Sequence, residues 1–430
     1  MAVINFAVMK IKIKKLARIE GHAGFEGHLF GGEIKKAKIE VKEGARLIEG
    51  LLIGRHFSDA PIITARICGI CPVVHSLTAI KAIEDAFKIN VRPEITLLRK
   101  LVLWAQFIHS HTLHLFFLSF PDFLNYDNDL AILKKYSREA QLAMTVRDLG
   151  INIIKVVGGR TVHPIATEVG GFKKYPSSQD LKKLLAQSKE ALTSAVQLAN
   201  FFKKLNYPEF HRPTTYISLS TKNEYGIYGG QMKIQKLSKT ILQSPEKTMR
   251  QLVEPSMRGE IVKRTYYQDQ TYLLGALARI NNNADNLNPK AKAILGTWLK
   301  KRPIDNSFYN ILAQAVEVVH CIEECQKALR QLVKVNWQKV KSTPVRLRAS
   351  HGLGVSEAPR GTLYHYYEIN TSGVITKCNI ITPTAQFLNN LEEDLKTWLP
   401  KVEHLSAKER ERKIKMLIRA YDPCITCATH

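Results

Sequence analysis

At 430 residues and 45% hydrophobic composition, the chain is long enough to bury a large core, as one big unit or as two or three smaller ones. Its 63 Lys and Arg against 38 Asp and Glu give a formal charge of +25, which would suit nucleic acid, an anionic membrane or an acidic partner protein. The basic residues are spread along the chain, with no helix-turn-helix, zinc finger or aromatic RNP-like strand among them, so nucleic-acid binding is set aside. No segment reads as apolar and uncharged over the roughly 18 residues that a membrane span needs. The stretch 101–120 is the most apolar and carries His109, His111 and His114, which suits a buried helix. The short apolar start followed by lysines is in the wrong order for a secretory leader.

In chain order, residues 1–45 alternate and are glycine-rich, so they predict short strands joined by tight turns. A helix is expected over 46–57. Pro72 opens a helix that runs to residue 87, with apolar residues at helical spacing. Further helices are predicted at 94–120, 131–154, 178–205, 270–285, 308–335 and 385–398, and strand-like pieces at 212–237 and 361–382. There is no internal repeat, linker or shift in composition. The expectation is one α+β unit over 1–430, mostly helical, with a β-rich part at 1–45, a helical core from about 46 onward, and small peripheral sheets.

The seven cysteines are odd in number and include two C-x-x-C pairs, a pattern of metal or redox chemistry in a reducing compartment rather than a disulfide framework. Cys68 and Cys71 sit at a helix start, where backbone N–H groups favour thiolate. Cys424 and Cys427 lie in "DPCITCATH", which ends the sequence on His430. A zinc ribbon spaces its pairs by about 15–20 residues, whereas these lie near opposite ends of the chain. Four thiolates brought together from two chain ends suit zinc, nickel or an iron-bearing cluster. His75 lies one helical turn after Cys71 and could reach back toward its sulfur. Cys321, Cys325 and Cys378 read as buried small hydrophobes, and the three histidines of 101–120 as a core-lining face.

"RICGICPVVH" (66–75) and "DPCITCATH" (422–430) resemble the two signatures of the large subunit of nickel–iron hydrogenases. "RIEGHAGFEGH", "GGRTVHPIATEVGGF" and "EAPRGTLYHYYEI" resemble the family in the same order, most closely its cytoplasmic, soluble, bidirectional members. The resemblance implies the large-subunit fold and reversible heterolytic cleavage of dihydrogen at a nickel–iron centre. Cys68, Cys71, Cys424 and Cys427 would bind nickel. Cys71 and Cys427 would also bridge to an iron carrying carbon monoxide and cyanide. Cys424 would take the proton and Glu20 pass it onward. Arg360 would hang over the open metal position, Thr384 would hydrogen-bond a cyanide, Pro383 would line the ligand pocket, and His75 would support the cysteines. Glu49 and His430 would hold a magnesium or iron ion and clamp the tail. The implied partners are an iron–sulfur small subunit, further electron-transfer subunits of diaphorase, sulfur- or deazaflavin-reductase type, nickel-insertion proteins, and a maturation protease acting just after His430. The implied location is the cytoplasm.

Overall fold

The computed structural model describes residues 8–30, 33–124, 129–255 and 260–429. Strands Val8–Ile13, Ala23–Phe30 and Glu33–Val41 form an antiparallel three-stranded sheet in chain order. Its alternation is the cause: Phe25, Leu29, Ala37 and Ile39 are buried while Lys36 and Lys38, on the opposite face, reach the surface. The sheet packs on helix Pro383–Val402, whose Glu392 accepts the Ile39 N–H at 2.9 Å.

The centre of the molecule is helical. Helix Pro93–Thr112 packs against Ser137–Gly158 and Asn310–Leu332, and the last of these packs on Ser178–Lys203. Pro93 and Pro72 occupy first-turn positions, where a missing N–H costs nothing. Ser177 caps the longest helix by accepting the Asp180 N–H at 3.0 Å. The apolar segment predicted as one helix continues past Thr112 as a π-helical turn, Leu113–Ser119. Pro93–Phe123 is long and apolar enough to cross a membrane, yet 78% of its most apolar window is buried inside the protein. The buried apolar residues form one contiguous core that runs from Ile11 to Ala428.

Several boundaries differ from the sequence reading. The helix expected at 46–57 is only Ile48–Leu52. The segment 131–154 is divided between Asp129–Lys135 and Ser137–Gly158. Over 270–285, Tyr272–Leu273 is a strand parallel to Thr215–Tyr216, and helix begins only at Ala276. The part from 46 onward also holds a four-stranded sheet built on Thr215–Ser220 and a three-stranded sheet of Ser350–Ala358, Gly361–Ile369 and Ile375–Ile381. Strand Ser350–Ala358 lies tight on helix Pro72–Phe87. A Cβ on Gly352 or Gly354 would stand 2.1 Å from the carbonyl oxygen of Ala82 or Thr78, so glycine is required for that approach.

Candidate metal centre

Cys68 ends the short turn Ala65–Ile67, and Cys71 caps helix Pro72–Phe87. The N–H groups of Ile70 and Cys71 point at the Cys68 sulfur, 3.3 and 3.4 Å away. Cys424 is the N-cap of the short C-terminal helix Ile425–Ala428, and Cys427 lies within it. That segment is held to the N-terminal part by a parallel bridge between Glu20 and Cys424, in which the Ile425 N–H donates to the Glu20 carbonyl at 2.8 Å. Arg46 adds a second tie, its N–H donating to the Thr429 carbonyl at 2.8 Å.

The four sulfurs meet in the interior, all within 4.8 Å of one another. The separations are 3.6 Å for Cys68–Cys424, 3.6 Å for Cys71–Cys427 and 2.8 Å for Cys424–Cys427. Hydrogen bonds from the other thiols, Cys424 first, hold Cys68 well below its ordinary range. Cys71 is pushed well above, chiefly by Cys424, and Cys427 by burial. Packed this closely out of water, four sulfurs cannot all ionise without a cation among them. The donor set therefore fits a soft metal centre.

Around the sulfurs stand most of the residues singled out in the sequence. Burial, followed by the Cys68 charge, pushes the Glu20 carboxyl above its usual range, while Arg360 and a hydrogen bond with Thr426 oppose the rise. Arg18 turns instead to Asp122, 3.6 Å away. Arg360 is buried and feels the charge of Cys424, Cys71 and Cys68. Its Nε donates to the Asp422 carbonyl at 2.7 Å and its Nη2 to Asp422 Oδ1 at 2.9 Å, leaving Nη1 buried with no partner among the described residues. Pro383 opens helix Pro383–Val402, and Thr384 Oγ1 accepts the Cys424 N–H at 3.0 Å. The adjacent Thr382 hydroxyl is likewise buried without a partner among the described residues. His75 is buried, and its Nε2 approaches Cys427 at 3.8 Å. The helix turns the imidazole across to the C-terminal pair, and His365 Nε2 backs its Nδ1 at 3.4 Å.

Glu49 lies apart from the sulfurs. Its Oε1 accepts the Lys263 ammonium at 2.6 Å and the Ile380 N–H at 2.6 Å, with Asn379 Oδ1 3.0 Å from the same ammonium. His430 lies outside the described residues. Sequence reasoning missed Asp422, although it stands inside the quoted "DPCITCATH", and missed His365 and Gln314. His109 is a further surrounding group: burial and then the neighbouring Arg147 press its imidazole down to about 4. His111 and His114 are buried in the helical core as expected, each hydrogen-bonded to a side chain of helix Asn310–Leu332.

The nickel-dependent hydrogenase family matches residues 46–147 and 244–430. The chain is 33% identical over 426 residues to the alpha chain of sulfhydrogenase 1 of Pyrococcus furiosus, covering 98% of each. It is 30% identical over 458 residues to a chain of the F420-non-reducing hydrogenase of Methanothermobacter marburgensis, covering 98% of this chain and 95% of the relative. Against the beta chain of the NAD-reducing hydrogenase HoxS of Cupriavidus necator it is 28% identical over 466 residues, covering 98% and 94%. A crystal structure of NAD+-reducing [NiFe]-hydrogenase in the H2-reduced state superposes with a TM-score of 0.91 at 25% identity, over 99% of this chain and 100% of that one. The Ni-Fe-Se hydrogenase of D. vulgaris Hildenborough shares the fold, with a TM-score of 0.79 at 22% identity over 99% and 100%. The chain belongs to the nickel-dependent hydrogenases. It is their catalytic large subunit, an oxidoreductase acting on dihydrogen.

Proposed function

We propose that Cys68, Cys71, Cys424 and Cys427 would hold a nickel–iron centre whose iron carries carbon monoxide and cyanide. The convergence of four buried sulfurs from two chain ends carries this reading. When bound, the centre supplies the heterolytic cleavage of dihydrogen.

The chain's own groups do the rest. Cys424 accepts the proton and Glu20 moves it outward. A carboxyl whose pKa is lifted by burial takes and releases a proton near neutrality more readily than an ordinary one, and the Glu20–Cys424 backbone bridge supports a short transfer. Arg360 keeps Nη1 as a spare, buried donor for a ligand at the metal's open side, since its other two contacts go to Asp422. Thr384 fixes the Cys424 backbone and retains a hydroxyl proton for an iron-bound cyanide, and the Thr382 hydroxyl is a second candidate donor. Pro383 keeps the ligand pocket apolar. His75 orients Cys427.

Glu49 would share a magnesium or iron ion with His430. Among the described residues, Lys263 and Ile380 both donate to Oε1, which leaves Oε2 for that ion.

An iron–sulfur small subunit receives the electrons. Large apolar side chains stand exposed at Leu47, Leu51, Ile53 and Ile62, on the segments that carry Glu49 and lead to Cys68, and at Val162 and Ile165 on the 159–166 loop. His163 ties the 159–166 loop to that region by a 2.9 Å contact with the Ala65 carbonyl. Exposed apolar groups concentrated in this way suit a protein partner. Further electron-transfer subunits, of the NAD-reducing or sulfhydrogenase kind named among the relatives, take the electrons onward in the cytoplasm. The single core supports residues 1–430 acting as one unit.

The test is an infrared spectrum of the complex purified with its natural partners, alongside nickel content. Carbon monoxide and cyanide stretches with stoichiometric nickel are expected. Zinc in their place would defeat the proposal.

A further inference from the structure

Behind Arg360 lies a second layer of buried polar groups that the proposed chemistry does not use. Asp422 Oδ1 accepts Arg360 Nη2 at 2.9 Å, and Oδ2 accepts Gln314 Nε2 at 3.1 Å. With its amide nitrogen turned to the carboxylate, Gln314 presents Oε1 to His114 Nδ1 at 2.6 Å. His114 Nε2 meets the Arg419 carbonyl at 2.7 Å and lies 3.9 Å from Asp422 Oδ1. Both ring nitrogens therefore face oxygen atoms, so the ring is held at two points, between the Gln314 amide and the Arg419 carbonyl.

The backbone supports this placement. His114 rides on the π-helical turn Leu113–Ser119, and the Ser119 hydroxyl donates to the His114 and Leu115 carbonyls at 3.1 Å each. Such turns are rare and are often found at functional sites. Asp422 itself sits at a φ of 53°, a region few non-glycine residues occupy, so side-chain contacts are needed to keep it there.

We propose that His114 and Gln314 are positioning residues: together they fix the Asp422 carboxylate, and through it aim the Arg360 guanidinium at the metal centre. The inference rests on the proposed role of Arg360. It assigns work to two side chains, far apart in sequence, that touch neither metal nor substrate.

The experiment uses the holoenzyme with its natural partners. His114→Phe, Gln314→Met and Arg360→Lys are compared singly, and each of the first two is combined with the third. The readouts are nickel content, hydrogen–deuterium exchange rate and the infrared bands of the iron-bound ligands. The expected result is full nickel in Gln314→Met, a fall in exchange of about ten- to hundred-fold, the loss expected for a disrupted charge-assisted contact, shifted infrared bands, and no additional fall when either variant is added to Arg360→Lys. An equal fold-loss in both backgrounds, or a wild-type rate with unshifted bands in Gln314→Met, would overturn the inference. If His114→Phe fails to retain nickel, Gln314→Met decides alone. A wild-type rate in Arg360→Lys itself would instead overturn the role of Arg360, which separates the two failures.

Discussion

Asp422 grips Arg360 twice, taking Nε on its backbone carbonyl at 2.7 Å and Nη2 on its carboxylate at 2.9 Å. The residue lies two positions before Cys424, so the segment that delivers Cys424 to the sulfur cluster also anchors the guanidinium. Asp422→Asn keeps the shape but removes the charge. Its expected effect is retained nickel with hydrogen turnover about ten- to hundred-fold lower, in line with one weakened charge-assisted contact. Turnover at the wild-type rate would show that Arg360 needs no such anchor.

Glu20→Gln preserves size and removes the titrating group. Nickel content should be unchanged, and hydrogen–deuterium exchange should fall by about a hundred-fold or more, the range for loss of a positioned acid–base group. The carboxyl is raised above its ordinary range by burial. It therefore stays protonated to higher pH than a solvated glutamate, and under the proposed relay hydrogen oxidation should weaken as pH falls through that raised value. A pH–rate profile should lose this acidic limb in Glu20→Gln.

His320 gives a stability prediction away from the metal. It is buried, its Nδ1 accepts the Asn288 N–H at 3.1 Å, and burial lowers it from an ordinary 6.5 to about 4. Between those values the unfolded chain binds a proton that the folded chain refuses. Stability therefore drops as pH falls from 6.5 toward 4, by about 1.4 kcal/mol per pH unit for such a group. His320→Gln keeps an acceptor for Asn288 and should flatten the acid side of a denaturation midpoint series. An unchanged slope would count against the neutral, buried imidazole.

Glu317 takes Arg279 Nε at 2.6 Å and Nη2 at 2.8 Å, His111 at 2.9 Å and the Tyr225 hydroxyl at 2.7 Å, all within the interior. Glu317→Gln leaves a buried guanidinium under-compensated. The expected loss is ~3–5 kcal/mol of stability, read as a lower Tm of the apoprotein and the loaded complex alike.

The cysteine cluster was legible in the sequence because chemistry fixes its residue types and the C-x-x-C spacing fixes the local geometry of each pair. Cys68, Cys71, Cys424 and Cys427 come together as that pattern implies, and Glu20, Arg360 and Thr384 stand around them. What escaped depended on partners distant in the chain. His114 and Gln314 become meaningful only because helices Pro93–Thr112 and Asn310–Leu332 pack together. The His75 contact with Cys427 likewise needed the tail's position. Strand Ser350–Ala358 was hidden by Gly352 and Gly354, which look like turn residues but serve close packing on a helix. The helix predicted over 270–285 started too early because Tyr272–Leu273 pairs with a strand that comes much earlier in the chain.

Anomalous X-ray diffraction from the purified complex, collected on either side of the nickel absorption edge, decides the metal assignment. One nickel peak within bonding distance of all four sulfurs is expected, and it should vanish in Cys71→Ala and in Cys427→Ala. A peak at the zinc edge instead, or nickel that persists in either variant, would contradict the assignment of the four cysteines.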